Sequence, residues 1–330
     1  MRQARITVPA EEGPEVYHAI TRTVNGERLF DEIAKEVLRK QLRQVADYCG
    51  VEVHTYAILS NHFHVLVRIP QKTDIPDAEL LRRYHVLYPK PTRYQLARLE
   101  VIRARLATNG PEAVAWRRRQ QALMGDLSQF MKLLKQRFSI WFNKSHRRYG
   151  TLWAERFKST LVESKQHALE TMAAYVDLNC VRAGLADDPK DYRFCGYAEA
   201  MAGSAIAQRG LTALFGAAGQ SWTDAHASYR LLLFGTATVP REHGRVLPSE
   251  EFQRVLKTGG RLPLATVLRC RVRYFTDGAV LGTKAFVATQ LARLRPKAGP
   301  GKRTTPRPLT QLTDWGDLAV LRKLRGPVFT

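Results

Sequence analysis

The chain has 330 residues, of which 45% are hydrophobic and 25% charged, and its 52 Lys and Arg outnumber 30 Asp and Glu to leave a formal net charge of +22. That length allows one large or two smaller domains, and the cationic excess predicts a polyanionic partner, nucleic acid ahead of a membrane surface, because no isolated basic amphipathic helix or lipidation signal is present. No apolar run approaches membrane-spanning length, Met1–Arg5 leads into no signal-peptide core, so a cytoplasmic protein is expected, and Cys49, Cys180, Cys195 and Cys270 lack the spacing of a zinc ribbon or a disulfide framework.

Residues 15–22 (Glu-Val-Tyr-His-Ala-Ile-Thr-Arg) are rich in β-formers and predict a first strand, followed by a turn at Asn25-Gly26. From Asp31 to Tyr48, Ile33, Val37, Leu38, Leu42 and Val45 recur at near-helical spacing, and Gly50 closes the helix. Val51 to Leu59 predicts a second strand, joined by a tight Ser60-Asn61 turn to a third that carries His62-Phe63-His64. Side chains alternate along a strand, so His62 and His64 share a face with Leu66 and Arg68. Phe63, Val65, Val67 and Ile69 line the other side, which predicts one core face and one working face. Two imidazoles held side by side could form half of a divalent-metal site, although so short a pair does not establish one.

Between Gln71 and Gly125 the pattern predicts a helical insertion, in segments beginning at Ala78, Tyr94 and Pro111 and separated by Pro89, Pro91 and Asn109-Gly110. Its Arg117-Arg118-Arg119 run reads as a solvated face before a phosphate grip. A longer helix begins at Asp126, with Gln129 placed for a capping box. Phe130, Leu133, Leu134, Phe138 and Trp141 form its apolar stripe, leaving Lys132, Lys135, Arg137 and Lys144 outside as a candidate phosphate track. Arg156 to Val162 alternates like a strand and would place Arg156 and Lys158 on one face. The segment from Lys165 to Ala183 predicts a helix with Ser164 as N-cap and Leu169, Met172, Ala173 and Val176 buried. Tyr175 and Asn179 stand one turn apart on it. They either enter one pocket together or are a Tyr at the core edge and an Asn in the last turns.

Several blocks together resemble the REP-associated tyrosine transposases of the single-tyrosine HUH superfamily. Tyr17-His18-Ala19-Ile20-Thr21-Arg22 is similar to the family's opening strand, and Leu59-Ser60-Asn61-His62-Phe63-His64-Val65-Leu66-Val67 to its Met-Pro-Asn-His-Phe-His-Leu-Leu-Val. Leu152-Trp153-Ala154-Glu155-Arg156-Phe157-Lys158-Ser159 resembles its Trp-x-x-Arg-Phe-Lys-Ser stretch, and Tyr175-Val176-Asp177-Leu178-Asn179-Cys180-Val181-Arg182-Ala183-Gly184-Leu185 its Tyr-Ile-x-Leu-Asn-Pro-Val-Arg-Ala-Gly-Leu. Ser60 and Cys180 replace the usual prolines, and Cys180 would let the helix continue past Asn179.

The resemblance implies an α+β fold: a ferredoxin-like antiparallel sheet with helices in a catalytic domain over residues 1–200, with the helical insertion at about 71–125. It implies that His62, His64 and Asn179 hold Mg²⁺ or Mn²⁺, and that Tyr175 attacks single-stranded or hairpin DNA to give a 5′-phosphotyrosine intermediate and a free 3′-hydroxyl. Arg22, Lys132, Lys135, Arg156, Lys158 and Arg182 are the candidate DNA-contacting cations. A domesticated DNA-binding regulator and a water-using metal nuclease are the alternatives. Residues 201–330 read as a basic, mostly helical extension with candidate DNA-binding function, built from a helix over Trp222–Phe234, an amphipathic one over Leu262–Arg273, a turn and short helix in 275–287 that could belong to a helix-turn-helix, and a flexible basic run over 293–307. The oligomeric state is not legible from these patterns.

Overall fold

A computed structural model describes residues 5–9, 13–87, 93–215, 221–234, 264–269, 274–294, 306–309 and 315–322. Cys270, Pro89, Pro91 and most of the basic run over 293–307 lie outside the described residues.

The fold is α+β. Strand β1 (Glu15–Arg22) leads through a turn, in which Asn25 adopts φ 53° and Gly26 φ 70°, to helix α1 (Glu32–Cys49). The Asp31 carboxylate caps α1 by accepting from the Ala34 N–H at 2.7 Å, and Gly50 ends it in the left-handed region at φ 64°, where a side chain would be strained. Strands β2 (Glu52–Ile58) and β3 (His62–Ile69) form the expected hairpin. The insertion follows as α2 (Asp77–Val86), α3 (Arg93–Thr108) and α4 (Pro111–Gln121). Helix α5 (Leu127–Ser145) is capped as its sequence predicts, Asp126 accepting from the Gln129 N–H at 2.9 Å, and β4 (Lys158–Val162) completes the first part of the sheet.

These four strands lie in the order β2-β3-β1-β4 with every pairing antiparallel, which is the ferredoxin-like arrangement. The sheet does not stop there. Strands β5 (Gly278–Thr283), β6 (Arg307–Pro308) and β7 (Leu318–Arg322) extend it in the order β4-β5-β7-β6, with β4 and β5 parallel. Strand β5 occupies the place where the sequence suggested a turn, and it separates the helices 274–277 and 284–294 that a helix-turn-helix would have joined directly. The rest of the described C-terminal region is helical, over 205–212, 222–234 and 264–269.

Alternation along β3 sorts its neighbours into two layers. Phe63 meets Trp153, which also packs on Phe30 of the loop before α1 and on Phe138 of α5. The opposite face of β3 lies under helix α6 (Gln166–Asp177), which packs across β2 and β3. Both faces of β3 are therefore interior. Phe63, Val65, Leu66 and Val67 are all 0% exposed, each contributing about 1.5–3 kcal/mol of burial free energy. The expected working face is a covered one.

Helix α6 differs from its sequence expectation at both ends. Lys165, not Ser164, holds the N-cap position, and the Ser164 hydroxyl donates instead to the Pro14 carbonyl at 3.3 Å. Helix α6 breaks at Leu178 (φ −73°, ψ 0°) before a short helix α7 (Asn179–Arg182), so substituting Cys for Pro at 180 does not make the segment continuous. Side chains occupy the carbonyls near the break: the Asn179 amide donates to the Tyr175 and Val176 carbonyls, each at 3.1 Å, and the Cys180 thiol reaches the Asp177 carbonyl at 3.2 Å.

Candidate functional site

The register of the sheet assembles one row of polar side chains beneath α6. Ile20 of β1 stands opposite both His64 of β3 and Lys158 of β4, while Arg22 stands opposite His62 and His18 opposite Thr160. Residues opposite one another across a ladder share a face, so His18, Arg22, His62, His64, Lys158 and Thr160 project to the same side of the sheet. Tyr175 descends onto this row from α6. Its ring centroid lies 6.1 Å from that of His64 and 6.0 Å from that of His18, edge-on to both, and 4.7 Å from that of Phe275. Tyr175 is 5% exposed and Asn179 7%.

Hydrogen bonds fix what each candidate ligand can offer. The Asn61 amide nitrogen donates to the Gly26 carbonyl at 2.9 Å, so its oxygen faces His62 Nδ1 at 2.6 Å and accepts from it. A neutral His62 then carries its lone pair on Nε2. Asn179 spends its amide N–H groups on the helix carbonyls and retains only oxygen as a ligand. His64 lies 5.2 Å from His62 by ring centroid, and its pKa is driven well below the usual value by burial, with His18 and His62 adding to the effect, which keeps it a neutral imidazole. Among the described residues no three His, Cys, Asp or Glu side chains converge as a metal cluster. A divalent cation held by His62, His64 and Asn179, as the sequence resemblance implies, would have two imidazole nitrogens and one amide oxygen as donors, a set softer than the oxygen ligands Mg²⁺ prefers and compatible with Mn²⁺.

The cations fall into three groups. Arg22, Arg156 and Lys158 are exposed; the Arg156 carbonyl accepts from the Thr21 hydroxyl at 3.4 Å, and Lys158 stands 3.5 Å from Glu155. Arg182 is turned inward, its guanidinium 4.2 Å from the Tyr175 ring centroid and donating to the Tyr175 carbonyl at 2.6 Å and the Leu268 carbonyl at 2.5 Å. Lys132 and Lys135 belong to α5, which packs beside α1 and meets Phe63 through Trp153, on the side of the sheet away from Tyr175. Lys132 is exposed there, whereas Lys135 is buried, donating to the Glu155 carbonyl at 2.5 Å and lying over the Trp153 ring. Burial lowers the Lys135 pKa to about 8.

Sequence reasoning gave no role to His18 or Phe275. His18 was within reach of it, since residues 18, 20 and 22 share a strand face by alternation. Phe275 was not, because it comes from a segment 100 residues downstream of Tyr175 whose position only packing decides.

Residues 15–79, from β1 into α2, match the family described as IS200-like transposase. No curated protein matches the chain. A solved structure of the REP-associated tyrosine transposase bound to a REP hairpin is similar at 13% identity and a TM-score of 0.35, over 75% of this chain and 100% of that one.

Proposed function

With residues 15–79 carrying an IS200-like transposase domain, we propose that the chain cleaves and rejoins single-stranded or hairpin DNA with Tyr175 as nucleophile and a divalent metal as cofactor. The observation that carries this reading is the meeting of Tyr175 with His64, ring centroids 6.1 Å apart, from elements more than a hundred residues apart in sequence. In the proposed step the Tyr175 hydroxyl oxygen attacks the scissile phosphorus as its proton leaves, and the P–O3′ bond breaks. The products are a 5′-phosphotyrosine ester and, once the leaving oxygen is protonated, a free 3′-hydroxyl. The ester retains the phosphodiester's transfer potential, so attack by a 3′-hydroxyl reverses the step and joins strands without ATP.

His62 and His64 through Nε2, and Asn179 through its amide oxygen, would hold the metal. When bound, Mg²⁺ or Mn²⁺ supplies Lewis-acid stabilisation of the charge that develops on the phosphate. Arg182 orients the Tyr175 ring by lying over it while anchoring to the backbone on either side. Arg22, Arg156 and Lys158 supply exposed positive charge near the row of histidines for the DNA backbone. We assign catalysis to residues 1–200, with 201–330 as a basic, mostly helical extension for DNA binding, whose Phe275 ring centroid lies 4.7 Å from that of Tyr175.

The test is incubation of the full chain with labelled hairpin DNA and Mn²⁺ under denaturing analysis. A covalent protein–DNA adduct in wild type that disappears in Tyr175→Phe is the expected result. Binding with no adduct would identify a DNA-binding regulator, and cleavage unchanged in Tyr175→Phe would identify a nuclease that uses water.

A further inference from the structure

Behind His64 lies a second imidazole. His18 Nε2 is 2.8 Å from His64 Nδ1, and His18 Nδ1 is 3.1 Å from the Phe275 carbonyl oxygen. The two rings are parallel to within 2° with centroids 5.1 Å apart. Parallel planes whose atoms approach to 2.8 Å can be no further apart than that, which is too close for a face-to-face stack, so the rings meet edge to edge along a hydrogen bond. Both histidines are 1% exposed.

The direction of this chain follows from its fixed end. A backbone carbonyl only accepts, so the Phe275 contact places a proton on His18 Nδ1. In the neutral ring that leaves Nε2 of His18 as an acceptor, and the atom facing it, Nδ1 of His64, must then be the donor. A neutral His64 with its proton on Nδ1 has its lone pair on Nε2. His18 itself has no lone pair left to offer, since one nitrogen is protonated and the other is taken by His64.

We propose that His18 is a positioning residue which, ordered by the Phe275 carbonyl, holds His64 in the Nδ1–H tautomer and so presents Nε2 of His64 to the metal. The inference rests on the metal-dependent reading above. Orientation of a ligating imidazole by a hydrogen bond to its other nitrogen is worth about 10–100-fold in metal affinity. His62 receives the equivalent support from Asn61, so the two candidate ligands are held by different devices: a local side-chain amide for one, and for the other a second histidine tied to the backbone of the C-terminal region.

The experiment measures Mn²⁺ binding to the full-length protein by the electron paramagnetic resonance signal of free Mn²⁺, alongside nitrogen NMR of the His64 tautomer in the metal-free chain. His18→Phe keeps a ring in the space and removes the acceptor; it should weaken Mn²⁺ binding by about 10–100-fold and release His64 into a tautomer mixture. His18→Gln restores an acceptor oxygen and should recover most of the affinity and the Nδ1–H form. Equal binding by wild type and His18→Phe overturns the inference alone, as does His18→Gln binding as weakly as His18→Phe. Wild type that binds no Mn²⁺ overturns the metal-dependent reading and this inference together.

Discussion

Two walls enclose Tyr175, and they are built in different ways. The wall from β1 and β3 offers side chains: His18, Arg22, His62 and His64, set in one row by strand register. The wall from the described residues of the C-terminal region, among them Leu268, Phe275, Gly278 and Trp315, offers mainly backbone. The Phe275 carbonyl faces His18 at 3.1 Å, the Gly278 carbonyl accepts from the Thr160 hydroxyl at 2.8 Å, the Leu268 carbonyl accepts from Arg182 at 2.5 Å, and the Trp315 carbonyl lies 3.3 Å from His167 Nε2. The candidate histidine ligands thus come from the first wall, and the second contributes carbonyls that fix His18, Thr160 and Arg182. A side-chain wall is read in residue types, whereas a carbonyl wall is open to almost any sequence that reaches the same backbone path.

The largest effect is expected at Tyr175, the proposed nucleophile. Tyr175→Phe should remove the covalent adduct and lower strand transfer on the order of 10⁶-fold, as loss of a nucleophile does, with little change in the denaturation midpoint. On the other wall, Phe275→Ala deletes a fully buried ring but keeps its carbonyl. Urea unfolding should show a loss of about 3–5 kcal/mol, while Mn²⁺ affinity of the folded variant stays at the wild-type value. A parallel fall in affinity would mean that the ring, and not the carbonyl, orders His18. Thr160→Val strips the donor from the Gly278 carbonyl at the seam of the two walls and should cost about 1–3 kcal/mol in the same assay.

The smallest effects separate exposed from interior cations. Lys132→Met should reduce the salt dependence of DNA binding by about one unit of slope if the α5 face follows the backbone, and Lys135→Met should leave the slope unchanged because its amine is committed to Glu155. Lys135 also has a pH signature. Its folded pKa of about 8 lies below the ordinary 10.5, so between those values the unfolded chain binds more protons and stability rises with pH. Denaturant midpoints should show that gain from about pH 8 to 10.5 in wild type and its absence in Lys135→Met.

Much of the first part of the sheet was legible because its signals are local. The Asp126 cap, the Gly50 terminus and the hairpin at Ser60-Asn61 each depend on a few adjacent residues, and the structure reproduces them. Strand β5 was not legible: Gly-Ala-Val-Leu-Gly-Thr contains two glycines, and its partners β4 and β7 come from distant segments whose pairing outweighs a weak local preference. The interior position of Lys135 was likewise hidden, since a lysine outside the main apolar stripe looks the same from sequence whether its stem runs to solvent or over a Trp ring.

Strand periodicity alone places His62 and His64 on one face, whereas the single helix expected to carry both Tyr175 and Asn179 is broken at Leu178, leaving Tyr175 in α6 and Asn179 in α7. Packing of distant segments is what lays α6 over the histidine face, sets His18 against His64 and brings the Phe275 carbonyl to His18. Those relations join segments separated by up to 257 positions, and no local periodicity carries information across that distance.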